Sequence, residues 1–364
     1  FGTPVRLSPE GMDLDLGAES GPQAAIAPDG MIHVVWAAGS WNARGKSGTQ
    51  TNAPPAHNGP KGPPSRPSDL NIYLASSRDE GKSFSLPRKI NDDSDGAEHR
   101  FPTLAVDDGG AVCVAWLDKR KQTAEHPDFS RVYFARSTDG GKSFSANVDA
   151  TGSQEHGICH CCKIALAVHP LGGIFAAFRN DVKDVRDMYF AGSHDDGFHF
   201  SKPAPMEETG WKIFGCPMNG PSFACDQSAR LHAVWMTRGK VTSAPAMAPA
   251  REEDFKVLYR CFDLQKQTWG DVLFLAAGSH PRLAVTAAGT VYVAWNHDGL
   301  KMAKITPSRT KAGPCVPLSA PGIKADFPSL AITSDGLGCV AWQQPDAEGR
   351  IQVCVMPIVV WNPG

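Results

Sequence analysis

The chain has 364 residues, with 36 Lys and Arg against 38 Asp and Glu, so its formal net charge is −2. A charge this close to balance gives no sign of a nucleic-acid or anionic-membrane surface, and no apolar run approaches the ~20 residues of a membrane helix. Frequent Gly (36) and Pro (29) between short apolar runs predict an all-β protein.

Six hairpins follow one another along the chain. A turn leads into an alternating strand with an aromatic end at Trp36, Trp116, Phe178, Trp235, Trp295 and Trp342, as in "PDGMIHVVW", "PLGGIFAAF" and "TSDGLGCVAW". A second short apolar strand precedes each turn, as in "PTLAV", "PRLAV" and "PSLAI". Each pair reads as two antiparallel strands joined by a tight turn. No segment carries a helical period. Inner strands are expected to start near residues 22, 102, 162, 220, 282 and 327, and third strands at "NIYLAS", "RVYFARS", "DMYFAGS" and "KVLYRCF". Six copies of such a unit predict a six-bladed β-propeller spanning residues 1–364 as one domain. The N-terminal "TPVRLS" is expected to complete the last blade beside the C-terminal strand.

A second repeat lies outside the first. "SRDEGKSF", "STDGGKSF" and "SHDDGFHF" share Ser-x-Asp-x-Gly-x-x-Phe, with aspartates at Asp79, Asp139 and Asp195. "FDLQKQTW" is a remnant of it in the fourth unit. The motif resembles the Asp box, or BNR repeat, of the sialidase-like β-propellers. There Asp and Ser brace a hairpin turn, Gly supplies the backbone angle and the aromatic packs beneath. The resemblance covers nearly the whole chain and implies structural roles for the three aspartates. It also places these turns on the face away from the family's active site.

The opposite face then collects the starts of the inner strands and the ends of the second strands. Glu19, Gln23, His99, Arg100, residues 159–163 and 216–219, His280, Arg282 and Asp326 fall there, with Asp118, Arg179, Asn296 and His297. Three long loops, 37–70, 117–130 and 236–256, project from the same face. Long loops in a compact fold are commonly functional.

"GICHCCK" sets Cys159, His160, Cys161 and Cys162 at the mouth of the central channel, where ligands bind in closed propellers. Cys216, in "GCPMNGP", occupies the equivalent place in the next blade. Three chemistries remain open. Cys159, His160, Cys161, Cys162 and Cys216 suit a soft or borderline metal, copper or zinc, because thiolate and imidazole are its ligands. Cys216 with Cys161 or Cys162 suits a disulfide stapling two blades. A thiol beside Lys163 or Arg100 suits redox or nucleophilic work, since a nearby cation lowers thiol pKa. The other cysteines, such as Cys113, Cys339 and Cys354, read as small buried hydrophobes in strands.

A chain with both Cys-x-Cys-Cys and Gly-Cys-Pro-x-Asn-Gly-Pro resembles a bacterial group of sialidase-like proteins rather than typical sialidases. The resemblance implies an exo-sialidase or glycoside hydrolase as one alternative. Arg100, Arg179 or Arg186, and Arg282 would then clasp a carboxylate. Arg100, Lys163, Arg179, Arg282 and Asp326 are therefore the candidate catalytic residues. The five tyrosines, at 73, 133, 189, 259 and 292, all fall within predicted strands, so the Tyr–Glu nucleophile of sialidases has no place here. A non-catalytic glycan- or protein-binding propeller is the other alternative, with Trp41 and Trp211 as stacking platforms. In every case the expected partner is a small molecule or glycan at the channel mouth. The start "FGTPVRL", without Met, reads as a processed or an artificially trimmed chain, and a secreted or periplasmic setting is expected.

Overall fold

The six sequence hairpins each form the inner half of one antiparallel sheet. The computed structural model describes residues 3–17, 19–40, 69–94, 96–126, 128–152, 154–169, 172–241, 255–306, 311–333 and 337–359. Among these residues there are strands and turns but no helix. Blade 1 holds Gln23–Ile26, Ile32–Ser40, Asp69–Ser77 and Arg88–Lys89, and Asp13–Leu14 adds beside Ile32–Ser40. Blade 2 holds His99–Val106, Val112–Asp118, Arg131–Ser137 and Val148–Asp149. Blade 3 runs through Ala165–Val168, Ile174–Arg179, Met188–Ser193 and Ala204–Pro205. Blade 4 holds Ser222–Asp226, Arg230–Thr237, Lys256–Asp263, Thr268–Trp269 and Leu273–Ala277. Blade 5 holds Ser279–Val285, Val291–Asn296, Leu300–Ile305 and Val316–Pro317. Blade 6 has three strands, Asp326–Ile332, Leu337–Pro345 and Ile351–Val359. The protein is a six-bladed β-propeller.

Central blades are packed on both faces, which is why their second strands read as nearly continuous apolar runs. All of Val112–Asp118 is buried. Its even and odd positions feed two different cores. Val112, Val114 and Trp116 face blade 1, and Cys113, Ala115 and Leu117 face blade 3. The same layering continues from blade 3 through blade 6.

The N-terminal segment departs from expectation. Residues 3–8 form no strand, and blade 6 has no fourth strand among the described residues. Leu7, Met12 and Leu14 instead cover the outer face of blade 1, over Val34, Trp36 and Ala38. The apolar side chains of this segment are used for packing rather than strand pairing, and the segment delivers Asp15 and Glu19 to the channel.

The three Ser-x-Asp-x-Gly turns share one geometry. The Ser77 hydroxyl donates to Asp79 Oδ1 at 2.8 Å and accepts from the Gly81 amide at 2.9 Å, and Ser83 N donates to Asp79 at 2.9 Å. The set repeats at Ser137, Asp139 and Gly141, and at Ser193, Asp195 and Gly197. These donors hold Asp79 down at about 2. Gly197 sits at φ 88°, and a Cβ there would meet Phe134 at 2.1 Å. Phe84, Phe144 and Phe200 pack into successive cores.

Register fixes which end is which. His99 lies opposite Asp118, and Asp118 opposite Arg131, at one end of blade 2. Val106, Val112 and Ser137 align at the other end, beside the Asp139 turn. The Ser-x-Asp turns therefore lie away from the inner-strand starts.

Candidate functional site

Three inner strands enter the channel mouth through the same irregularity. Register shifts lie between Arg100 and Thr103, Ser279 and Arg282, and Asp326 and Ser329. Each contains a non-glycine residue at positive φ followed by proline: Phe101 (52°), His280 (50°) and Phe327 (52°). Such bulges re-aim side chains, here Arg100, His280 and Asp326.

The N-terminal segment supplies carboxylates to meet these cations. Arg100 forks onto Asp15, with Nε 2.7 Å from Oδ2 and Nη2 3.0 Å from Oδ1. The Ser20 hydroxyl also donates to Asp15. Glu19 is buried at the centre. Its Oε1 accepts from Arg282 Nη2 at 2.8 Å, and its Oε2 accepts from Gly220 N at 2.7 Å and Lys163 N at 3.3 Å. Burial alone would raise the Glu19 carboxyl, but the charges of Arg282, His280 and Lys163 outweigh it and hold the group below its ordinary value. His280 Nδ1 is 2.7 Å from Asp326 Oδ1, and its Nε2 faces the Met218 carbonyl at 3.2 Å.

Lys163 donates from Nζ to Gln23 Oε1 at 2.7 Å. Burial and the like charge of Arg282 bring its ammonium down to about 7, against the pull of Glu19.

The sulfur cluster is built from two loops clamped together. Cys159 N bonds to Arg179 O at 3.0 Å, fixing the first loop to the end of the blade 3 second strand. The second loop is pressed so closely that a Cβ on Gly220 would lie 2.0 Å from the Lys163 carbonyl oxygen. A Cys161–Cys216 disulfide joins them, with Cα atoms 6.1 Å apart. Of the two pairings open in sequence, Cys161 rather than Cys162 is the partner.

Cys159 and Cys162 are buried thiols. Cys159 Sγ lies 3.5 Å from Cys162 Sγ and 3.5 Å from Cys161 Sγ, and all three sulfurs are within 4.8 Å of one another. Arg186 Nη1 reaches Cys159 Sγ at 3.1 Å while Nη2 pairs with Asp181 at 3.1 Å. The hydrogen bond from Cys162, helped by the Arg186 charge and opposed by burial, brings Cys159 down to about 6. Burial and the neighbouring Cys159 thiolate push Cys162 well up. The pair thus shares one proton across neutral pH.

The structure brings Cys159, Cys161, Cys162, Cys216, Lys163 and Arg282 to this mouth, linked through Glu19. Asp326 joins them through His280. His160 turns aside, its Nε2 3.9 Å from Asp128, outside the three-sulfur group. Arg179 lies in the wall between blades 3 and 4. It donates to the carbonyls of Arg186, Asn219 and Met236 at 2.7, 3.0 and 2.9 Å and covers the Trp211 ring at 4.8 Å. Trp211 is correspondingly buried. It anchors the wall and presents no stacking platform, because its face is already occupied by Arg179. Trp41 and most of loops 37–70 and 236–256 lie outside the described residues.

Two partners escaped the sequence reading. Asp15 precedes the inner strands and carries no motif. Arg186 was placed with the carboxylate-clasping arginines, whereas it serves Cys159. Glu19 falls among the inner-strand starts, and the acidic residue four positions before it, upstream of a ring rich in Arg and Lys, is the one signal that could have added Asp15.

No protein-family model and no curated protein matches this chain. Solved structures do. An α-L-arabinofuranosidase from Fusarium graminearum superposes with a TM-score of 0.60 at 12% identity, covering 96% of each chain. The fold is that of the sialidase-like propellers. A protein of unknown function from Dyadobacter fermentans gives a TM-score of 0.59 at 14% identity, over 96% of this chain and 95% of that one. The NanB sialidase of Streptococcus pneumoniae gives 0.56 at 9% identity, over 96% of this chain and 67% of its own. Identities this low describe a shared fold and leave the chemistry to the site itself.

Proposed function

We propose that the channel mouth is a thiolate site for a soft or borderline metal ion, copper(I) or zinc(II), formed when the Cys161–Cys216 disulfide is reduced. The observation that carries this reading is the convergence of the Cys159, Cys161 and Cys162 sulfurs within 4.8 Å. Three thiolates suit copper(I), and Cys216, once released, stands ready as the fourth sulfur that a structural zinc takes. Calcium and magnesium want oxygen ligands. The neighbouring carboxylate Glu19 is already bonded by Arg282, Gly220 and Lys163.

Within this site Arg186 stabilises the Cys159 thiolate, Glu19 holds the two loops together, and Lys163 and Arg282 form the polar wall beside the sulfurs. Bound metal would supply redox chemistry if copper, or a structural cross-link if zinc. A disulfide is at home in an oxidising compartment, which supports a secreted or periplasmic setting. No described helix is long and apolar enough to cross a membrane.

Reduced protein, titrated with copper(I) or zinc(II) under anaerobic conditions, should take up one ion per chain. Cys159→Ser should lose that uptake and oxidised protein should show none. Equal uptake by oxidised and reduced protein would remove the reading.

A second reading, glycoside hydrolysis at the same mouth, is favoured by the arabinofuranosidase solved with arabinobiose. Glycosidases use two carboxyl groups about 5 to 9.5 Å apart. Here Asp15 is forked by Arg100, Glu19 is paired with Arg282, and Asp326 with His280. Release of arabinose or sialic acid from aryl glycosides, abolished by Glu19→Gln, would favour it over the metal site.

A further inference from the structure

The four sulfurs contain two potential disulfide pairs that touch. Cys161–Cys216 is formed, and both of its residues are partly exposed. Cys159 and Cys162 are buried, in Cys-x-x-Cys spacing, with their sulfurs 3.5 Å apart. Cys159 belongs to both neighbourhoods, because its sulfur is also 3.5 Å from that of Cys161. Arg186, 3.1 Å from Cys159, is the cation that a thiolate at this position needs.

We infer that Cys159 relays the disulfide between the two pairs. In the first step the Cys159 thiolate attacks Cys161 Sγ. A Cys159–Cys161 bond forms, the Cys161–Cys216 bond breaks, and Cys216 leaves as a thiolate. In the second step Cys162 sulfur attacks Cys159 Sγ. A Cys159–Cys162 bond forms, Cys161 leaves with the electron pair, and the Cys162 proton passes to the released thiols. Two thiols are oxidised and two half-cystines reduced, so electrons and protons balance with no outside oxidant. The relay moves an oxidising equivalent between the partly exposed pair and a pair shielded from solvent. It requires no metal and stands or falls separately from metal uptake.

The sequence offers a direct readout. Trypsin cleaves after Lys142, Lys163, Lys212 and Arg230, so peptides 143–163 and 213–230 stay joined only while Cys216 is bonded to the first loop. Oxidised protein, stripped with a chelator, is held with iodoacetamide near pH 8, quenched in acid and digested. In wild type the joined peptide should disappear with time, leaving labelled Cys216 and a disulfide within 143–163. In Cys159→Ser the joined peptide should persist at least about tenfold longer. In Cys162→Ser the Cys159–Cys161 bond should accumulate beside labelled Cys216, which keeps the relay testable if Cys159→Ser does not fold. A joined peptide as persistent in wild type as in Cys159→Ser, or one lost equally fast from both, overturns the relay.

Discussion

Arg186 holds its guanidinium 3.1 Å from the Cys159 sulfur while its other terminal nitrogen pairs with Asp181, whereas Arg100 and Arg282 turn to carboxylates and Arg179 to carbonyls. A positive charge at that distance favours the thiolate over the thiol. Ultraviolet thiolate absorbance should therefore rise with a half-point near pH 6 in wild type. In Arg186→Gln the half-point should move up toward the ordinary thiol range of about 8.5. An unmoved half-point would mean that the Cys162 hydrogen bond alone sets the charge.

Lys163 gives a pH signature of opposite sign. Its amine is brought from an ordinary 10.5 to about 7 by burial, so the fold disfavours the charged form. The resulting cost is absent above the unfolded value, grows as pH falls toward 7, and is constant below. Lys163→Met should therefore raise stability at pH 6 by up to about 5 kcal/mol, with the gain shrinking as pH rises past 7 and gone above the ordinary lysine value of 10.5. Denaturant melts across pH read it, and a gain independent of pH would show that packing rather than charge is responsible.

Glu19 binds three elements with one carboxylate. Glu19→Gln leaves Arg282 buried beside an uncharged amide and should cost about 3 kcal/mol near neutral pH. The Glu19 pKa is depressed in the fold, so its contribution is present above the ordinary carboxyl range and lost as pH falls through the folded value. The gap between wild type and Glu19→Gln in thermal melts should accordingly close in acid.

Gly220→Ala tests the clamp between the loops. The added methyl would stand 2.0 Å from the Lys163 oxygen, against backbone that cannot rotate away. A loss of about 2 kcal/mol is expected, with incomplete Cys161–Cys216 formation visible in a free-thiol count. Normal thiol content would show that the second loop can shift without parting the sulfurs.

Asp139→Ala separates the two faces. It removes the acceptor for Ser137 and the Ser143 amide at the far end of blade 2. The unfolding temperature should fall while the Cys159 half-point stays near pH 6. A changed half-point would tie the turn to the site.

What was legible in the sequence is what repeats. The hairpin ending at Trp116 recurs with the same turn and alternation, so blade count and phase follow from local pattern. Ring order then put Cys216 beside the Cys159–Cys162 stretch, two blades' entries brought together by topology, and left Cys161 or Cys162 open as its partner. The details of the site were not legible because they depend on side chains that meet without repeating. Arg179 and Arg186 sit in one short segment, "FRNDVKDVR", and only packing sends the first to carbonyls and the second to Cys159. Leu7, Met12 and Leu14 belong to no repeat, and an open blade face took them as cover. Asp15 is an ordinary acidic residue until Arg100, far along the chain, closes on it.

The ion pair of Glu19 with Arg282 also orders events in time. The carboxylate emerges early from the ribosome, whereas its guanidinium partner belongs to blade 5. Loop closure over that separation is slow relative to local hairpin formation. Blades 1 to 4 can stack as they are made, each on its predecessor, but the clasp across the channel waits for nearly the whole chain. Until then Glu19 lacks one of its three partners, and the loop bearing Cys216 is held less firmly against Cys161. Oxidative cross-linking of the two loops thus becomes a late step of maturation, and a nascent chain halted before blade 5 should carry these cysteines as free, alkylatable thiols.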